Sequence, residues 1–286
     1  MTFISVLYFF LSATAFLGNA LILIALHKES SLHPPSKLLL RSLATTDLCV
    51  GLIVEPLSTA HKMSVLNEHW NICHHLSVIT FITGYILCGV SAATLTELYV
   101  DRLLALLLGL RYRQVVTLKR MYLVVFTTWV IAAAFSALWL WNPPLALWGL
   151  LWYGTIGIPL YLIISIFSYT KILLTLRRHN TQIHSHNVQQ PSHTNQLNIA
   201  RYKKALSTAI WLQLTLVACY LPHGVVFALR AKSGLSVSVY HASIYTVTLV
   251  YLNSSLNPIL YCWKLDEVRL AVKDTITQVL CHWSTS

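Results

Sequence analysis

Charge is scarce in this sequence. Lys, Arg, Asp and Glu together make up 10% of the 286 residues, and Asp plus Glu number only nine. Ordinary soluble domains carry about 25% charged residues. The groups needed to cover a water-facing surface are therefore missing, which excludes a disordered chain, a coiled coil and a soluble enzyme. With 56% hydrophobic residues and a mean hydropathy of +0.63, the chain is solvated by lipid. There is also no internal repeat of the kind that marks many transporters. No basic run is interleaved with exposed aromatics, so the net charge of +11 does not read as a nucleic-acid surface. It reads as basic loops that fix orientation in a membrane.

Uncharged stretches divide the chain into spans at about 3–27, 38–61, 74–104, 120–141, 146–174, 203–229 and 237–262. Met121 to Thr170 contains no charged residue. At about 1.5 Å per residue it is long enough for two crossings of a ~30 Å core, and Asn142-Pro143-Pro144 breaks it near the middle. The expected fold class is an all-α membrane protein, a seven-transmembrane helix bundle with a short amphipathic C-terminal helix at about 264–280. In that helix Leu265, Val268, Val272, Ile276 and Val279 recur at helical spacing. An extracellular N-terminus leaves Lys62, Arg230 and Lys232 as the only outer basic residues and puts the other 17 of 20 on the cytoplasmic side or near that end of a helix. The first span has no basic segment before it and reads as retained, not as a signal peptide. Arg177 to Asn198 reads as a flexible cytoplasmic loop. Its His179, His184, His186 and His193 match no known metal-ligand spacing and have no Cys among them.

Ionisable and amide groups inside spans are costly and usually functional. Asp47 lies mid-span. Asn19 follows Gly18 in span one, and Asn253, Ser254 and Asn257 precede or adjoin Pro258 in span seven. Proline frees backbone carbonyls, so this set offers oxygens for an ion and water beside Asp47. The alternative is a structural polar network that joins helices without an ion. At the inner end of span three, Asp101 and Arg102 either exchange partners when helices move, or Arg102 simply snorkels. Glu97, one turn earlier, is either protonated or paired with a base on a neighbouring span.

These residues together resemble the rhodopsin-like G-protein-coupled receptors. The resemblance runs through Gly18-Asn19, Leu43-Ala44 with Asp47, Ser91, Asp101-Arg102-Leu103, Trp129, Pro159, Cys219-Tyr220-Leu221-Pro222 and Asn257-Pro258-Ile259-Leu260-Tyr261. It implies an extracellular small-molecule or short-peptide ligand, a heterotrimeric G protein inside, a plasma-membrane location with the C-terminus cytoplasmic, and no enzymatic activity. It makes Asp47, Ser91, Asn253, Ser254 and Asn257 a sodium-and-water site, with no covalent cofactor. Asp101, Arg102, Pro222, Pro258 and Tyr261 become the activation and coupling residues. The ligand pocket falls to Glu55, Gly84, Tyr85, Cys88, Tyr220, His223, Phe227 and Tyr251.

The sequence also departs from that family. Gly84 stands where amine receptors carry an Asp, so the ammonium anchor is missing there. Tyr251 takes the place of the retinal Lys of opsins. Tyr202 stands where some relatives place an acid that locks Arg102, which implies raised basal activity. The usual outer disulfide has no second Cys, since Trp141 to Tyr153 contains none, so no disulfide is expected at Cys73. Cys281 on the last helix reads either as a palmitoylation site or as a free thiol. The rival functional class is a secondary transporter or channel, and neither repeats nor paired broken helices support it.

Overall fold

The computed structural model describes residues 2–28, 32–141, 156–186, 211, 213–230, 232, 234, 236–264 and 266–285. All secondary structure among them is helical. The Asn142-Pro143-Pro144 break, residues 187–198 of the expected loop and Tyr202 lie outside the described residues, as do the side chains of the four loop histidines and of Cys281.

Helix α1 (Thr2–Lys28) is followed by α2 (Pro34–Cys49), which opens on two prolines. Their missing N–H groups fall where a helix has no internal acceptor to lose. α2 passes through a wide turn at Val50–Val54 and continues as α3 (Glu55–Leu66). Pro56 explains the turn. It cannot donate to the carbonyl four residues back, and the backbone widens so that the Glu55 N–H reaches the Val50 carbonyl, five residues back. The Gly51 carbonyl thereby loses its ordinary donor, and the Ser12 hydroxyl of α1 replaces it at 2.6 Å. Residue 51 must be glycine: a Cβ there would lie 2.8 Å from Ala15 Cβ and 2.9 Å from Phe16 N.

α4 (Trp70–Leu108) is the central rod. It packs on α2, α3, α6 (Leu118–Trp141) and α7 (Ile158–His186). Its 39 residues make about 58 Å of helix, so it projects beyond the expected 74–104 at both ends. Gly109, at φ +50°, stops it. A single 3-10 turn, Gly109–Arg111, then leads into the short α5 (Tyr112–Val115). α7 continues to His186, so the first ten residues of the expected loop are helical. Residues 177–186 hold no Gly or Pro, and each residue added to an existing helix gains a backbone bond.

Residues 213–230 form α8, running unbroken through Pro222. α9 (Val237–Lys264) contains Pro258. Pro258 leaves the Ser254 carbonyl without a helical donor, and Asn19 Nδ2 of α1 donates to it at 3.0 Å. Gly18 makes the approach possible: a Cβ there would sit 3.0 Å from the Pro258 ring. α1 therefore repairs two proline-related defects, one in each neighbouring rod. α10 (Asp266–Thr285) extends past the expected end near 280 and buries Val268, Ala271, Val272 and Thr275. Ile276, on the apolar stripe expected to lie on the inner leaflet, is exposed. By length and apolarity alone, Phe3–Lys28, Trp70–Ala105 and Leu118–Ala137 can cross a membrane.

Candidate functional site

Asp47 is fully buried in α2. Its Oδ1 accepts from Ser91 Oγ of α4 and Ser254 Oγ of α9, both at 2.8 Å, and its Oδ2 accepts from Asn257 Nδ2 at 2.7 Å. One carboxyl thus joins three rods. Asn253, expected in the same set, is buried, but neither of its side-chain polar atoms has a partner among the described residues. The Tyr261 and Tyr99 hydroxyls and Asn19 Oδ1 are likewise buried and unpartnered. A polar pocket of this kind is where ordered water or a small hard cation is accommodated.

At the end of α4 away from the cavity described below, Asp101 does not pair with Arg102. Ser36 Oγ donates to its Oδ2 at 2.7 Å and the Tyr112 hydroxyl to its Oδ1 at 2.6 Å. Arg102 is exposed. Burial, and then the Asp101 carboxylate it donates to, push the Tyr112 phenol up to about 12, so it stays a neutral donor at physiological pH. A second inner tie links α7 to α8, where Gln213 Nε2 donates to Ser165 Oγ at 3.0 Å. Glu97 accepts from Thr128 Oγ1 of α6 at 2.6 Å. Its partner among the described residues is a hydroxyl, so of the two alternatives the pairing with a base is not seen.

Above Asp47 lies a cavity of about 450 Å³, within the range of small-molecule sites. Gly84, Tyr85, Cys88, Tyr220, His223, Phe227 and Tyr251 all line it. Glu55 does not, being fully buried behind the wall. The Tyr220 hydroxyl donates to the Cys88 carbonyl at 3.1 Å. Tyr251 and Ser58 share a hydrogen bond of 3.0 Å, and His223 Nδ1 lies 3.2 Å from Thr246 Oγ1. Pro222 sits in α8 one residue before His223, and Pro258 and Tyr261 lie below in α9. Five cysteines, Cys49, Cys73, Cys88, Cys219 and Cys262, are free thiols.

Sequence reasoning missed Lys62, Tyr8 and Ser58 at the cavity, and Ser36, Tyr112 and Gln213 at the inner end. Lys62 was counted only as an outer basic residue. Its spacing of four from Ser58 and seven from Glu55 was the signal that it shares their helix face.

An all-helical, membrane-crossing bundle with an outward cavity over a buried acid defines a class: multi-pass membrane receptors. The family described as "7 transmembrane receptor (rhodopsin family)" matches residues 18–143 and 146–261. The chain belongs to that family, the rhodopsin-like G-protein-coupled receptors, and the transporter-or-channel alternative falls away. It is 24% identical over 310 residues to a high-affinity lysophosphatidic acid receptor of Xenopus laevis, covering 94% of this chain and 80% of that one. It is also 24% identical over 312 residues, with the same two shares, to a probable G-protein coupled receptor 45 of Mus musculus. An alpha-2B adrenergic receptor of Macroscelides proboscideus is 32% identical over 132 residues, 46% of this chain and 33% of its own.

Proposed function

We propose that this receptor sits in the plasma membrane with its N-terminus outside, takes an extracellular small molecule or short peptide in the cavity, and activates a heterotrimeric G protein by helix rearrangement. The observation that carries this reading is the position of Asp47. It ties α2, α4 and α9 together directly beneath the cavity floor. A ligand that changes the spacing of those rods changes which of these bonds survive, and the inner ends respond. For α8 to swing outward, the Gln213–Ser165 bond between α8 and α7 must break. Arg102 is then the residue that meets the G protein. Replacing Arg102 with Ala is expected to abolish nucleotide exchange while the receptor stays folded in the membrane. Unchanged exchange overturns the reading.

The resting state is the one a sodium ion favours. Asp47 and the Ser91 and Ser254 hydroxyl oxygens offer the hard-oxygen donors that suit it. Sodium supplies positive charge beside a carboxylate held in the hydrocarbon core. By linkage, an ion bound only at rest opposes agonist. Agonist affinity is therefore expected to be lower in sodium than in a large organic cation, and Asp47→Asn is expected to remove the difference. Equal affinities in both salts favour a structural network instead. Palmitate on Cys281 would add to the hold of α10 on the inner leaflet.

A further inference from the structure

Lys62 is only 9% exposed, lines the cavity, and has no hydrogen-bond partner for its ammonium among the described residues. Among the described residues the contact that compensates it is the Tyr8 ring, 3.5 Å from Nζ to the centroid. A ring face attracts a cation but accepts none of its three N–H bonds in the way an oxygen does. Arg230 lines the same cavity from α8, with His61 and His223. No Asp or Glu lines it. Nor can the undescribed outer segments supply one, because residues 142–155, 231, 233 and 235 contain no charged residue. The outer half holds two acids in all. Glu68 is exposed on the loop before α4. Glu55 lies behind the wall, seven residues and about 10 Å of helix from Lys62. A cationic ligand therefore meets no opposite charge on the wall, whereas an anionic one meets two.

The rest of the wall is apolar and aromatic. Phe81, Tyr85, Ile158, Phe227, Ile244 and Val247 come from four different rods. Such a lining rewards burial of a hydrocarbon chain, each methylene adding to the gain. A small hydrophilic anion leaves it unfilled.

Building on the receptor reading above, we infer that the cavity binds a single-chain amphiphile with an anionic headgroup, the headgroup against Lys62 and Arg230 and the chain among the aromatic and aliphatic residues of the wall. Phosphate and carboxylate headgroups share this chemistry. Such a group supplies the bonds the ammonium lacks among the described residues, so Lys62 is assigned as a binding residue.

The test uses the full chain in neutral phosphatidylcholine nanodiscs and three C18 probes: 1-oleoylglycerol 3-phosphate, oleate and octadecyltrimethylammonium. Saturable binding of one or both anions is expected, the stronger one identifying the headgroup, with no saturable binding of the cation. Lys62→Gln is expected to weaken the bound anion by about tenfold or more, the scale of a lost charge-assisted hydrogen bond. Lys62→Arg should restore most of that loss. Thermal stability of ligand-free Lys62→Gln is expected to be no lower than the parent's, because an unpaired buried charge has been removed. Arg230→Gln gives a second reading from a different helix, expected at about threefold. The inference is overturned if the cation binds as well as the anions, if neither anion saturates, or if both neutral substitutions leave anion affinity unchanged. These arms need no G protein. Failure of the receptor reading shows separately, as ligand-free exchange that Arg102→Ala leaves unaltered.

Discussion

Span two carries two carboxyls, eight residues apart and equally buried, that the protein treats in opposite ways. Asp47 accepts three hydrogen bonds from two neighbouring rods at 2.7–2.8 Å. Neither oxygen of Glu55 has a partner among the described residues, and Lys62, two turns further out, is unpartnered as well. The inner half has orphans of its own: the amide of Asn253, the hydroxyls of Tyr99 and Tyr261, and one oxygen of Glu97, whose other oxygen accepts from Thr128. A neutral orphan costs about 1–3 kcal/mol and is readily served by water. A charged orphan costs far more. The Asp47 cluster thus holds three helices at a set spacing with both carboxyl oxygens served. The outer half is left open electrostatically, and what completes it comes from outside the protein.

The sharpest way to break this contrast is to remove Asp47 itself. Asp47→Ala strands three buried donors, and stability should fall by about 3–5 kcal/mol. Thermal melting in nanodiscs measures the loss, and Asp47→Asn, which keeps one acceptor oxygen, should cost markedly less. Glu55→Gln has no bond to lose and should stay within about 1 kcal/mol of the parent. A loss as large as that of Asp47→Ala would show that Glu55 is also held by the fold. At the inner end, Tyr112→Phe removes one of the two donors on Asp101 and should raise ligand-free nucleotide exchange by about threefold to tenfold. Tyr202→Glu should lower that exchange, by supplying Arg102 with an acid; no change would count against the missing lock. The smallest effect is expected for Ser12→Ala, about 1 kcal/mol of stability for one hydroxyl to the Gly51 carbonyl.

The all-helical membrane class was legible because lipid demands long uncharged stretches, and the cluster around Asp47 because polar groups are rare there. Ser91, Ser254 and Asn257 each reach it; Asn253, on the same face of α9 as Asn257, makes no hydrogen bond to it. Asp101 and its Ser36 and Tyr112 partners were not legible. Ser36 lies 65 residues away in sequence, and Tyr112 arrives only because Gly109 turns the chain at positive φ and starts a new short helix. Glu97 remained open in the sequence because a threonine hydroxyl on α6 is an ordinary residue with no signal of its own. Lys62 was hidden for a different reason. Charge counting assigns an outer lysine to a loop, and only the continuation of α3 to Leu66 buries it.

The wide turn at Val50–Val54 has one more consequence. It accommodates an extra residue within a single helical rod, and one residue rotates everything beyond it by about 100° about the helix axis. Asp47 lies before the turn, Ser58 and Lys62 after it. The two halves of span two can therefore be re-aimed independently. Deleting one residue in the turn would leave the inner anchor where it is and swing the outer lysine away from the cavity. Among receptors built on this scaffold, a single insertion or deletion at this turn is enough to change the charge a ligand meets, with no substitution in the binding wall.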